Sequence, residues 1–195
     1  MNSKKSILLG LLGFVLILGF WVGSSYNGLV TLNEGVNTSW ADVQTQYQRR
    51  ADLIPNLVST VQGAADFEQS TLTAVTEART NWLNISQDPE ATLNDQVAAT
   101  QEFDSAFARL LVSVEAYPTL TATQSFRDLQ IQLEGTENRI SVARQDFNAS
   151  AKAYNIRVQR FPGLLVAKLF NFEKRDLFAA TAGSEVAPSV NFNQE

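Results

Sequence analysis

The sequence contains no cysteine and no histidine. The first absence removes disulfides, thiolate nucleophiles and zinc-thiolate sites. The second removes the commonest general base and the commonest transition-metal ligand, so a Ser-His-Asp triad and a Glu-x-x-His di-iron centre are both excluded. Positive charge is thin as well. Fifteen Lys and Arg stand against 20 Asp and Glu, a net charge of −5, and the cations are scattered among acids. Phosphate binding needs clustered cations, so no nucleic-acid partner is expected. Glycine and proline are sparse before residue 162 and period-two alternation is missing, which leaves no strand signal. No cofactor and no metal site are expected from what remains, and the chain is read as not an enzyme.

What is present is apolar and helical. The chain has 195 residues, 45 % apolar and 18 % charged, enough for one globular domain plus an anchor. Residues 7–23 read ILLGLLGFVLILGFWVG without a charge. At about 1.5 Å per residue this is near the short end for a membrane span. Lys4 and Lys5 precede it, and Trp21 and Tyr26 sit at its distal end, where interfacial aromatics belong. A signal peptide shares the basic start and apolar core, but the exit Trp-Val-Gly lacks the Ala-x-Ala form, so an uncleaved anchor is expected. No Lys or Arg follows until Arg49. The positive-inside rule then puts residues 1–6 in the cytoplasm and the domain outside it, with a single pass.

Beyond Tyr26, apolar residues recur in steps of three, four and seven. The first stretch holds Leu29, Val36, Trp40, Val43, Tyr47 and Ile54. The second holds Leu57, Val61, Ala65, Leu72, Val75 and Trp82, and is broken by Asp88-Pro89, with Ser86 or Asp88 as cap candidates. The third runs from Leu93 through Phe103, Phe107 and Leu110 to Tyr117, where Pro118 ends it. The fourth, Phe126 to Phe161, is the most regular and stops at Pro162-Gly163. The expected fold is all-α: a transmembrane helix followed by an antiparallel up-and-down bundle over residues 26–161. Pro55 either kinks one long helix or opens a new one capped by Asp52. A reversal at Pro55 balances the helix lengths and gives four helical segments; a kink gives a three-helix alternative. Reversal would bring Phe161 back to the bilayer surface, whereas a kink would leave it at the distal end.

Residues 162–178 are apolar and basic, with Leu164, Leu165, Leu169, Phe170 and Phe172 beside Lys168, Lys174 and Arg175. They suit a lipid surface, a partner groove or a short helix closing the bundle. Residues 179–195 read as a flexible tail. Glu134 and Glu137 lie three apart, near Arg139 and Arg144, while Glu68, Glu77 and Arg79 mark the second stretch. Two glutamates can form a hydrolytic pair, but an interhelical carboxylate–arginine network is the expected role. Trp40, Tyr47 and Trp82 are expected in the core.

Two blocks carry a family resemblance: Arg49-Arg50-x-Asp52-Leu53-Ile54-Pro55-Asn56-Leu57-Val58 and Leu133-Glu134-Gly135-Thr136-Glu137-Asn138-Arg139-Ile140. Tyr26-Asn27-x-Leu29-Val30, Trp40, Glu68, Glu77-Ala78-Arg79, Ala143-Arg144, Asn148, Tyr154-Asn155, Phe161-Pro162, Phe178 and Pro188-x-Val190-x-Phe192 extend it. With these the chain resembles the LemA family over nearly its whole length. It departs at Gln62-Gly63-Ala64-Ala65, where the family usually has an aromatic, and at Phe147, in place of a common tyrosine. The resemblance implies a bundle anchored in the bacterial cytoplasmic membrane, associated with other membrane or envelope proteins, and identifies no substrate. Structural or partner-binding roles are expected for Arg49, Arg50, Asp52, Pro55, Asn56, Glu68, Arg79, Glu134, Glu137 and Arg144. The expected function is a non-enzymatic scaffold or adaptor contacting the lipid bilayer and envelope proteins. The alternative is an extracytoplasmic bundle that senses a ligand or peptide.

Overall fold

A computed structural model describes residues 3–62 and 67–178, with side chains from residue 7 onward. Among the described residues there are six helices and no strand: α1 (Ser3–Gln62), α2 (Gln69–Gln87), α3 (Leu93–Glu115), the single turn α4 (Pro118–Thr121), α5 (Gln124–Gln159) and α6 (Gly163–Leu169). The apolar run at residues 7–23 is the exposed first part of α1, with Ile17 72 % and Phe20 81 % accessible. Past it, Leu29, Val36, Val43, Leu57 and the intervening Trp40, Tyr47, Ile54 and Val61 are buried, as the spacing of three, four and seven requires.

Helix α1 pairs with α5, and α2 with α3, while α3 and α5 hardly touch. Both pairs are antiparallel: Trp40 meets Phe147 and Arg50 meets Glu137 along the first, Trp82 meets Thr100 and Phe67 meets Tyr117 along the second. The bundle part of α1 (residues 26–62) and the whole of α5 are each about 55 Å long at 1.5 Å per residue, which explains how one spans the other.

The reversal expected at Pro55 is not there. α1 runs through Pro55 to Gln62, and α2 begins at Gln69. Proline lacks the amide proton that would bond the carbonyl four residues earlier. That carbonyl, on Ala51, instead accepts a 2.7 Å bond from Nε of Arg79 on α2. The neighbouring helix therefore supplies the missing donor. Asp52 is no cap: it accepts from Gln48 one turn earlier. The second stretch is accordingly divided, Leu57 and Val61 belonging to α1 and Leu72, Val75 and Trp82 to α2.

An unbroken helix at Pro55 is expected to leave Phe161 far from the anchor, yet α1 is followed by three further long helices and α5 descends to the anchor. The Tyr26 ring lies 4.7 Å from that of Phe170 and 5.7 Å from that of Phe172. Other boundaries follow the sequence. Asp88 closes α2, and Thr92 rather than Ser86 or Asp88 caps α3, in a capping box with Asp95. Pro118 opens α4 and Thr123 caps α5.

Residues 162–178 both close the bundle and extend along it. A Cβ on Gly163 would come within 2.5 Å of the Arg157 carbonyl oxygen, so only glycine fits this tight entry to α6. Asn171, at φ 55°, ends α6 in the left-handed region, and the Phe172 amide reaches back to the Ala167 carbonyl. Residues 172–178 then run without regular secondary structure to Phe178, which is buried. The tail at 179–195, with Pro188, Val190 and Phe192, lies outside the described residues, as do residues 63–66.

Candidate functional site: a charged core layer beneath an apolar groove

Arg50 occupies a core position of α1, seven residues from both Val43 and Leu57, with its side chain 3 % exposed. A buried guanidinium needs counter-charges and acceptors. It donates to Asp104 on α3 at 2.6 Å and to Glu137 on α5. Arg144, two turns after Glu137, donates to Asp104 and to the Tyr47 hydroxyl. Tyr47 in turn donates to the Asp104 carboxylate at 2.8 Å. Arg50 also stacks over Phe107 and Arg144 over Phe178, at 4.9 and 4.7 Å from the ring centroids. Asp104 is thus the hub where α1, α3 and α5 meet.

Burial withdraws water from the Tyr47 phenol and pushes its pKa from 10.0 up to about 12, against the opposing pull of Arg144 and Arg50. Burial likewise lowers the Arg144 pKa. Between pH 10 and 12 the folded chain therefore keeps a Tyr47 proton that the unfolded chain has lost. This contribution to stability is complete below pH 10 and disappears as pH rises through the folded value near 12. Alkaline denaturation midpoints are expected to show that decline, and Tyr47→Phe to flatten it. An unchanged slope in the Phe variant would assign the decline to another group.

The expected site residues divide. Arg50, Glu137 and Arg144 converge in an interhelical network whose hub, Asp104, and phenol, Tyr47, are not among the expected residues. Glu134 stays on the surface and accepts from Gln130, and Arg139 is exposed outside the network. Arg79 serves the Ala51 carbonyl. Glu68 accepts from Ser70 and Thr71 at the start of α2. Arg49, Asp52, Pro55 and Asn56 are exposed along α1. Trp40, Tyr47 and Trp82 lie in the core. The helical spacing did hold a signal for Asp104: it is one turn from both Thr100 and Phe107, on the margin of a buried stripe.

Above this layer, α3 and α5 diverge around a groove of about 740 Å³. Its walls include Leu111, Val114, Phe126 and Leu133, its floor Arg50, Asp104, Glu137 and Arg144, and its lower end Phe178. Below Phe178, residues 172–178 fill the space beside α5. Two asparagines one heptad apart hold them there. Asn155 donates to the Arg175 carbonyl at 2.7 Å and accepts from its amide at 2.8 Å; Asn148 does the same for Phe178, at 3.0 and 2.9 Å. Asn94 on α3 accepts from the Asp176 amide, and Asn33 on α1 from the Arg175 guanidinium. Among the described residues, no three acids converge as a metal site would need.

Comparison with known proteins agrees with the resemblance. The sequence model of the LemA family matches residues 39–192. Magnetosome protein MamQ 2 of Paramagnetospirillum magneticum is 26 % identical over 174 residues, covering 78 % of this chain and 64 % of that protein. Magnetosome protein MamQ of Magnetospirillum gryphiswaldense is 25 % identical with the same coverage. Protein LemA of Metamycoplasma hominis is 26 % identical over 175 residues, 88 % of this chain and 78 % of that one. The chain thus spans just under two thirds of the length of its magnetosome relatives.

Proposed function

The chain belongs to the LemA family, and from that premise we propose that it is a membrane-anchored, non-catalytic adaptor whose α3–α5 groove receives an extended segment of another membrane or envelope protein. The observation that carries this reading is the pairing of Asn148 and Asn155 with the backbone of residues 175 and 178. Side-chain amides that engage both the N–H and the C=O of an extended chain recognise it whatever its side chains are. The groove continues from Phe178 with apolar walls for alternate side chains and a charged floor for selectivity. Relatives named as magnetosome proteins suit a role in organising proteins at a membrane. A hydrolytic role is disfavoured because the Asp104 carboxylate is held by two guanidiniums and a phenol. In this reading the span is the apolar part of α1, and the positive flank at Lys4 and Lys5 supports a bundle outside the cytoplasm.

Site-specific photocrosslinking in intact cells tests the adaptor reading. Probes at Leu111 and Gln130, in the groove, are expected to trap a defined partner. Probes at Gln48 and Thr80, exposed away from it, are expected to trap none. Equal labelling from all four positions, or groove adducts only within the chain itself, overturns it.

A further inference from the structure

We propose that α6 and its flanks are a second membrane contact: Phe161, Leu165, Leu169 and Phe170 enter the boundary between head groups and acyl chains beside the exit of α1. The inference rests on residues 7–23 being the span, and it adds a site that the anchor alone does not require.

Three observations converge. The first is height. Tyr26 lies three residues past the end of the apolar run, about 4.5 Å along the helix axis, and the interfacial layer on each side of a bilayer is about 5–7 Å thick. The contact of Tyr26 with Phe170 and Phe172 therefore puts the end of α6 inside that layer. The second is the face that α6 presents. Val166 and Ala167 pack inward, while Leu165 and Leu169, one turn apart on α6, are 56 and 70 % exposed; Phe161 just before the helix and Phe170 just after it are 74 and 47 % exposed. Apart from the contact of Phe170 with Tyr26 this apolar surface faces solvent, and the apolar surface of α1 begins directly beneath it. The third is charge. Residues 157–176 carry Arg157, Arg160, Lys168, Lys174 and Arg175 against Glu173 and Asp176, a positive balance in a chain of net charge −5. Cations beside an apolar stripe match anionic head groups.

Length supplies a reason for the arrangement. Seventeen apolar residues cover about 26 Å, roughly 4 Å less than the hydrocarbon core of a typical bilayer. The α6 stripe continues the apolar belt across that deficit, so the mismatch is met by a second element instead of by thinning the bilayer.

The test uses the absence of cysteine. Leu169→Cys, Ile17→Cys and Ile131→Cys are made in the full chain, labelled with an environment-sensitive fluorophore and reconstituted in phosphatidylcholine–phosphatidylglycerol vesicles. Nitroxide lipids labelled near the head group are expected to remove most emission from position 169, and aqueous iodide little. Position 131, on α5 about 42 Å from that helix's lower end, is expected to show the reverse. Adding Leu165→Glu to Leu169→Cys is expected to restore iodide access. Position 169 behaving like 131 overturns the proposal while quenching at position 17 keeps the anchor. Loss of quenching at 17 overturns the anchor itself. Protection of 169 from both lipid nitroxide and iodide means that protein, not lipid, covers the stripe, and also overturns the proposal.

Discussion

Replacing Asp104 with alanine is expected to destabilise the bundle by about 3–5 kcal/mol, the cost of breaking a buried ion pair by removing one partner. Asp104 neutralises two guanidiniums, one of them on a side chain only 3 % exposed. Without it Arg50 keeps one counter-charge, Glu137, whose side chain is 58 % exposed, and Arg144 keeps no counter-charge, only the neutral Tyr47 hydroxyl and the Phe178 ring. Two positive charges then face each other in a poorly solvated layer. Arg50→Met is expected to cost less, because an apolar side chain of similar length refills the core position without leaving a charge behind. Denaturant midpoints at unchanged m-value are the measurement. A loss below about 1 kcal/mol for Asp104→Ala is what an exposed pair would give, and would show the network to be solvated.

The second large effect is a coupling between Arg79 and Pro55. Arg79→Ala is expected to cost about 1–3 kcal/mol, because the Ala51 carbonyl loses its donor. Pro55→Ala restores an amide proton at the position that ordinarily serves that carbonyl, and removes a residue roughly 3 kcal/mol worse than alanine in a helix interior. In that background Arg79→Ala is expected to cost only a few tenths of a kcal/mol beyond its surface contacts. A double-mutant cycle isolates the difference. Equal costs in both backgrounds would assign the role of Arg79 to packing alone.

This pair also shows what the sequence could and could not reveal. Helical spacing located every long element because burial on one face leaves a periodic trace, as at Val36, Val43 and Leu57 on α1 or Phe126, Leu133, Ile140 and Phe147 on α5. The behaviour of Pro55 was not local information. It depends on Arg79, whose guanidinium reaches the Ala51 carbonyl 28 residues earlier in the chain. The network followed the same rule. Glu137 and Arg144 suggested themselves by sharing a helix with each other, but Tyr47 reads as one more aromatic in an apolar stripe, and Asp104 as one more acid on a helix margin. Their roles arise only where three helices meet. Asn148 and Asn155 belonged to the resemblance, yet nothing in their own spacing announced that they grip another stretch of main chain.

The pairing of α1 with α5 has a consequence for the order in which the chain can fold. Arg175 meets Asn33 across 142 residues and Arg144 meets Tyr47 across 97, whereas Trp82 meets Thr100 across 18. Closing a short loop costs less chain entropy, so the α2–α3 hairpin can form while α5 is still being synthesised. The buried stripe of α1 cannot close fully at that stage: its main partner, α5, is synthesised only after α2, α3 and α4. The part of the Leu29–Val61 face that α5 covers must therefore stay open until α5 emerges, at a time when residues 7–23 are already available to the membrane. The Asn148 and Asn155 clamps close only after α5 has emerged, since they grip residues that follow it.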